Sequence, residues 1–339
     1  MEYKVLNGTD LKVSRICLGG GNFGEKLDRE TVFQVLDTYI DGGGNFIDTA
    51  NVYCRWIPGL ANSSEKMIGE WLESRSAKNN VIIATKGGHY DLQSPLVSRV
   101  TKADIRLDLT ESMKTLLLDR IDLYWLHRDD PNKPVEEIVD YMEELVREGS
   151  IRYYGASNFS QKRLEEASIY ARKNHLQGFS AVSNMWSAAS INPVFDSMRD
   201  ATMELMGQAL YEWHKETGLP MIPYTSTANG FFEKLYRAGA RVEEGRLLTP
   251  IADLELSEHL LKIYLNDRNL RLYEVLLEIH KETGASVIAL SLAFLISQPF
   301  DVIPVGSVTK PEQLNGLLEA GGLKLDPQFK KKFQKFIDL

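Results

Sequence analysis

The chain holds little of what staples, metals, membranes or nucleic acids demand. Two cysteines in 339 residues, Cys17 and Cys54, leave no disulfide framework and no cysteine-ligated zinc site. Cys17 lies in an apolar run and reads as core. Cys54 reads as a loop residue, with a reactive thiol as the alternative. The six histidines do not cluster and form no His-x-His, so no metal site is expected. No apolar run approaches the roughly 20 residues of a membrane span, and no cationic-plus-apolar leader is present. No membrane association is expected, and cytoplasmic residence is the default expectation. A net charge of −8 argues against a nucleic-acid partner, whose phosphates need a basic face. The one dense basic cluster, Lys330 to Lys332 with Lys335, alternates with Phe329, Phe333 and Ile337. It reads as the solvated side of a terminal helix. No repeat, low-complexity tract or linker divides the chain, so residues 1–339 are expected to form one domain.

What is present is a long alternation. Hydrophobic residues at 43% allow a large core. Tyr3–Leu6 and Leu11–Val13 read as a hairpin around Asn7-Gly8. Eight strand candidates follow: Arg15–Leu18, Phe46–Asp48, Val81–Thr85, Ile121–Leu126, Tyr153–Ala156, Ala181–Asn184, Ile222–Tyr224 and Val302–Val305. Amphipathic segments separate them, among them Lys102–Leu117, Gln161–Lys173, Met198–Thr217 and Leu270–Ser297. Thr101 and Ser160 stand where helix N-caps belong. Eight strands alternating with helices predict an α/β fold, a (β/α)8 TIM barrel with an N-terminal β-hairpin cap. The segment Phe231–Asn269 breaks the rhythm. It predicts a long excursion between strands 7 and 8, with a helix at Ser257–Asn266.

Such barrels build their sites at the C-terminal ends of their strands. Asp48 and Tyr53 follow the second strand candidate, Lys86 the third and His127 the fourth. An acid, a phenol, an amine and an imidazole converging there make a proton-transfer set that needs no metal. Each alone is a cap, a packing group or a surface charge, and the joint placement is the signal. The run Gly19-Gly20-Gly21-Asn22-Phe23-Gly24 satisfies G-x-G-x-x-G, the Rossmann dinucleotide fingerprint. Four residues separate its last glycine from the next amphipathic pattern. A Rossmann dehydrogenase therefore stays as the competing fold, while a barrel reads the glycines as a strand end that a ligand approaches closely.

Asn45-Phe46-Ile47-Asp48-Thr49-Ala50 with Tyr53, Ala84-Thr85-Lys86, Asp122 to His127 and Gly155-Ala156-Ser157-Asn158-Phe159 resemble the aldo-keto reductase superfamily. The resemblance runs from the hairpin to Gln313. It implies catalysis by Asp48, Tyr53, Lys86 and His127, and an extended nicotinamide cofactor, NADP before NAD. It implies cofactor contacts from Gly20, Gly21, Asn22 and Asp48. Ser157, Asn158 and Asn184 would hold the carboxamide, with Asn184 standing where the family usually has Gln. Tyr224 would stack on the nicotinamide ring. Thr225, Ser226, Ala228 and Gly230 would hold the pyrophosphate. Gly306, Ser307, Thr309, Lys310 and Gln313 would hold the adenosine 2′-phosphate, in a segment one residue longer than in many members.

The expected reaction is reduction of an aldehyde or ketone, or the reverse. Tyr53 would give the proton, its pKa lowered by Lys86, with Asp48 orienting the lysine and His127 the carbonyl. A cofactor-binding, redox-sensing subunit is the alternative from another class. Trp56, His89 and Trp186 are expected to wall the substrate pocket, and Tyr90 is a similar candidate. Trp125 and Tyr124 are read as packing residues. Arg128-Asp129-Asp130 is read as a surface salt-bridge cluster.

Overall fold

The computed structural model describes residues 1–78, 80–254 and 256–337; Glu255, inside the expected excursion, lies outside them. Strands β1 (Tyr3–Val5) and β2 (Lys12–Ser14) form the expected antiparallel hairpin, with Tyr3 opposite Ser14. Its loop is longer than an Asn-Gly turn. Leu6 N donates to Leu11 O at 3.0 Å and the Thr9 hydroxyl bonds Leu6 O at 2.8 Å.

Beyond the hairpin, strand and helix alternate: β3 (Cys17–Gly19), α1 (Arg29–Asp41), β4 (Phe46–Asp48), α2 (Ser63–Ser74), β5 (Ile82–Gly87), α3 (Lys102–Leu116), β6 (Ile121–Leu126) and α4 (Val135–Arg147). Then come β7 (Ile151–Ser157), α5 (Gln161–Lys173), β8 (Val182–Ser183) and α6 (Gln208–Thr217). Two helices start at the caps expected for them: Thr101 accepts from Asp104 N, and Ser160 from Arg163 N. In α4 the buried Val135, Ile138, Val139, Met142 and Leu145 make one apolar stripe, with Glu136 and Glu137 in the first turn and Arg147 in the last.

After α6 come α7 (Phe231–Arg237), a small hairpin of β9 (Val242–Glu243) and β10 (Arg246–Leu247), and α8 (Glu258–Tyr264). Glu244 and Gly245 turn that hairpin with φ of 51° and 77°, the left-handed pair a two-residue turn requires. The chain then runs through α9 (Asp267–Thr283), α10 (Val287–Ile296), β11 (Val305–Gly306), α11 (Leu314–Gly322) and α12 (Pro327–Gln334).

Seven strands form one parallel sheet in the order β11-β3-β4-β5-β6-β7-β8. That near-sequential order removes the Rossmann alternative, whose strand order reverses at a switch point. Three expectations fail for local reasons. Ile222–Tyr224 is not a strand: Pro223 within it and Pro220 just before it lack the N–H that a ladder needs. The segment still joins both edges of the sheet, since Ile222 N donates to Val182 O at 2.7 Å and Ile303 N to Met221 O at 2.9 Å. The expected helix Met198–Thr217 begins only at Gln208, after Gly207. Leu270–Ser297 splits at Gly284, φ 74°, and Ser286 caps the second half, so α9 and α10 meet at 108°. Among the described residues no single helix is long and apolar enough to cross a membrane.

Residue parity positions the site. Phe46, Ala84, Leu123 and Trp125 share one buried cluster with Leu6, Leu11 and Val13 of the hairpin. Their neighbours Ile47, Ile83, Tyr124 and Leu126 belong to the other cluster, with the helices. Side chains alternate faces along a strand. Asp48, Lys86 and His127 therefore share the inner face with Phe46, Ala84 and Trp125. Gly155 lies opposite Trp125 in the register. A Cβ there would collide with the indole and approach Ala181 O to 2.9 Å. The Gly155→Ala variant should lose about 1–3 kcal/mol of stability by overpacking. Thermal denaturation checks it, and an unchanged midpoint would mean the indole has room to move.

Candidate active site

Asp48 ends β4, Lys86 lies within β5 and His127 follows β6, so three neighbouring parallel strands deliver them side by side. The Lys86 ammonium donates to Asp48 Oδ2, to Thr49 O at 2.7 Å and to the Tyr53 hydroxyl at 3.3 Å. Its three protons are thus all engaged. The other Asp48 oxygen accepts from Trp125 Nε1 at 3.0 Å. Trp125, read from sequence as packing, fixes the carboxylate from below, and its parity with His127 was the available signal. The ring centroids of Tyr53 and His127 lie 6.2 Å apart, and those of His127 and His89 lie 4.7 Å apart. Asp48, Tyr53, Lys86 and His127 are thus one cluster, as expected from their order in the sequence.

Burial dominates the electrostatics. Burial opposes the Lys86 charge, but Asp48 and Tyr53 outweigh it and raise the lysine above its usual range. Burial also lifts Tyr53 above its usual value of 10.0; Lys86 pulls the other way and loses. That corrects the expectation of a lowered phenol. Burial, then the neighbouring His89 and the charges of Arg128 and Lys86, hold His127 well below the ordinary histidine value of 6.5, so the ring is neutral. His127 Nδ1 is buried with no partner among the described residues. A buried lone pair costs less there than a buried N–H. The Nε2–H tautomer follows, with Nε2 as the donor for a bound oxygen.

The glycine run reaches the same place. A Cβ at Gly20 would crowd Ser64, Phe23 and Asp48 O, whereas one at Gly21 would meet only the Tyr53 ring edge, 3.9 Å away. Asn22 Nδ2 ties this run to Val308 O at 3.0 Å, beside Gly306, Ser307 and Thr309. Ser307, Thr309, Lys310 and Gln313 are exposed on that loop. Gln313 Oε1 braces the loop by accepting from Thr309 N at 2.7 Å and Lys310 N at 3.2 Å. Thr225, Ala228, Asn229 and Gly230 all have positive φ and wind the chain tightly after Tyr224. Bare backbone beside the phenol, a tightly wound loop and a polar exposed loop suit a long, polar cofactor with one flat end at Tyr53.

The expected carboxamide group is pre-engaged. Ser157 Oγ donates to Ser183 O at 2.7 Å, and Asn158 Nδ2 to His127 O at 3.0 Å. Asn158, at φ 61°, is held by Asn184, whose Oδ1 accepts from Asn158 N at 2.7 Å and whose Nδ2 donates to Phe159 O at 2.9 Å. Asn184 therefore braces the left-handed turn at Asn158. The Tyr224 hydroxyl donates to Asn158 Oδ1 at 2.7 Å.

The expected pocket walls divide. Trp56 is exposed and its ring lies 6.4 Å from that of Tyr53. His89 is buried against His127, and burial with the Arg128 charge lowers its pKa to about 4. Trp186 instead stacks on Phe300 and meets Tyr211 edge-on. A cavity of about 1430 Å³ runs from Lys86 past His89, Tyr90 and Trp56; Tyr53 and His127 are not in its lining, so it flanks the reacting centre. Cys54 is buried, its Sγ donating to Phe23 O at 3.3 Å. The expected surface salt-bridge cluster is not found: Asp129 pairs at 2.8 Å with Arg163, both side chains largely buried, Asp130 is buried, and Arg128 turns inward and bonds His127 O at 2.9 Å. That inward turn has no signal in the sequence.

The profile of the Aldo/keto reductase family matches residues 15–338. The chain belongs to the aldo/keto reductase family. It is an oxidoreductase that acts on carbonyl compounds, in a family that generally uses nicotinamide cofactors. An uncharacterized oxidoreductase of Bacillus subtilis, YrpG, is 29% identical over 97% of this chain and 93% of that protein. An aryl-alcohol dehydrogenase of Pestalotiopsis microspora is 27% identical over 97% of this chain and 80% of that protein. Norsolorinic acid reductase B of Aspergillus parasiticus is 28% identical over 96% and 81%. A thermostable aldo-keto reductase solved with the inhibitor epalrestat superposes with a TM-score of 0.68 at 24% identity, over 99% of this chain and 100% of that one, which establishes shared architecture.

Outside the cluster of Asp48, Tyr53, Lys86 and His127, Thr85 faces α2 and donates to Glu65 Oε1 at 2.6 Å, while Glu65 Oε2 has no partner among the described residues. Burial lifts the Glu65 pKa from 4.5 to about 7, against the hydrogen bond from Thr85. The folded state thus favours the protonated acid. Stability falls as pH rises from the unfolded value toward the folded one. Glu65→Gln should remove that loss, so its effect on stability should be more favourable at neutral pH than at pH 4.5 by about 1–3 kcal/mol. Denaturant unfolding at the two pH values checks this; an equal effect at both would contradict it.

Proposed function

We propose that this chain reduces an aldehyde or ketone with NADPH, by proton transfer from Tyr53. The observation that carries the reading is Lys86 held between the Asp48 carboxylate and, at 3.3 Å, the Tyr53 hydroxyl. Nicotinamide, when bound, supplies the hydride; Gly20, Gly21, Asn22, Ser157, Tyr224, Thr225, Ser226, Ala228 and Gly230 would hold that cofactor. Ser307, Thr309 and Lys310, exposed on one loop, suit the extra phosphate that separates NADP from NAD. The fold behind this is read as a closed (β/α)8 barrel, supported by the hydrogen bonds that Met221 and Ile222 make to both sheet edges.

As negative charge grows on the carbonyl oxygen, Tyr53 gives up its proton. A phenol that burial keeps protonated is the right resting state for reduction. The Lys86 ammonium then stabilises the phenolate, and Asp48 keeps the lysine from standing as a lone buried charge. His127, neutral and in the Nε2–H form, orients the oxygen by a hydrogen bond. Asp48 and Trp125 position the lysine and make no contact with substrate. The half-exposed Trp56 ring beside Tyr53, together with relatives named for aryl alcohols and norsolorinic acid, supports an aromatic carbonyl compound as substrate.

The Tyr53→Phe variant should lose about 10²–10⁴-fold in turnover of an aromatic aldehyde such as 4-nitrobenzaldehyde, the usual worth of a positioned acid. NADPH affinity, read by protein fluorescence, should stay near wild type. Full activity in this variant would remove Tyr53 from the mechanism. A wild-type protein that binds NADPH and consumes none with any carbonyl compound would favour a cofactor-sensing subunit.

A further inference from the structure

The connection between β8 and α6 is bonded to the site at residues 200 and 204, and its hydrogen bonds close a ring. Asp200 Oδ2 accepts from the Tyr90 hydroxyl at 2.5 Å and from Arg128 Nη2 at 3.2 Å. Arg128 Nη1 donates to the backbone carbonyl of His127 at 2.9 Å. That same carbonyl accepts from Asn158 Nδ2 at 3.0 Å. Asn158 Oδ1 in turn accepts from Glu204 N at 3.2 Å, four residues beyond Asp200. The path Asp200, Arg128, His127, Asn158, Glu204 returns to its own segment. It links the proposed substrate side, His127, to the proposed nicotinamide side, Asn158.

Asp200 is built for this task. Its Oδ1 accepts from Thr202 N at 2.8 Å and from the Thr202 hydroxyl at 2.7 Å, so both oxygens are doubly bonded into the network. Burial opposes its charge, but those bonds and Arg128 prevail and lower its pKa to about 2. Arg128 is only 11% exposed in its side chain, and its Nε is buried without a partner among the described residues. A guanidinium so placed needs a counter-charge to stay put beside His127. Tyr90, whose ring lies 5.8 Å from the Arg128 guanidinium carbon, closes its other side.

We propose that Asp200 is a positioning residue of the active site: through Arg128 it fixes the His127 backbone, and through its own segment it locks Asn158, so that both faces of the site are set together. The proposal rests on the carbonyl-reductase reading. Asp200 touches neither substrate nor reacting atoms.

The test compares wild type with Asp200→Asn, which keeps the volume, Arg128→Lys and the double variant. Asp200→Asn should lower kcat by about tenfold to a hundredfold, the cost of a small displacement of a catalytic group. Its thermal midpoint should fall by a few degrees, because Arg128 loses its counter-charge, and its NADPH affinity should weaken along with the hold on Asn158. The double variant should lose less than the product of the single losses, because both residues act through one contact. Hydrogen exchange gives a readout that needs no turnover. NADPH should slow exchange across residues 200–206 in wild type, and Asp200→Asn should abolish that protection. A kcat within twofold of wild type in Asp200→Asn, multiplicative losses in the double variant, or cofactor protection that survives the substitution would overturn the proposal. An inert wild type would overturn the reductase reading, and exchange would still judge the ring.

Discussion

A lysine and an aspartate buried together inside an apolar sheet are the constraint on which the rest depends. An unpaired charge at either position would cost several kcal/mol, so each requires the other and a full set of hydrogen bonds. Lys86 has three partners, and Asp48 has Lys86 and Trp125. Trp125 has room because Gly155 faces it across the ladder. Core packing and site chemistry are therefore one problem here. The side chains that fill the interior also aim the carboxylate, which aims the lysine, which meets the phenol.

The sheet supplies the precision. Parallel pairing of β4, β5 and β6 sets Asp48, Lys86 and His127 on one face at adjacent strand ends. Rigid strands carry three of the four groups, while Tyr53 enters from the turn after β4. The same burial that makes the ion pair tight makes Tyr53 a phenol that keeps its proton. That outcome suits an acid waiting for a carbonyl. In the proposed mechanism the lysine would matter most once the proton has left.

Much of this was legible in the sequence because strands alternate faces. Asp48, Lys86 and His127 share parity with the apolar residues before them, and the strand–helix rhythm placed them at one end. Short-range chemistry marked the caps at Thr101 and Ser160. Other features depended on signals that the pattern does not carry. Prolines at 220 and 223 reduced an expected strand to isolated bridges, and Gly284 with Ser286 divided an expected helix. Asn184 looked like a short cofactor amide and is bound to the Asn158 turn. Arg128 looked like one member of a surface cluster. Its inward turn depends on Asp200, 72 residues away, and no local pattern announces that partnership.

The Lys86 charge pulls the Tyr53 ionisation down against burial. The direct measurement is the ionisation of Tyr53 followed by NMR of a ring-carbon label at Cζ, in wild type and in Lys86→Met. Wild-type Tyr53 should stay protonated past the ordinary tyrosine value, since burial outweighs the lysine. Removing the cation should push the midpoint higher still, by about one pH unit or more, as loss of an adjacent opposite charge does. A midpoint that stays put or falls in Lys86→Met would contradict the account.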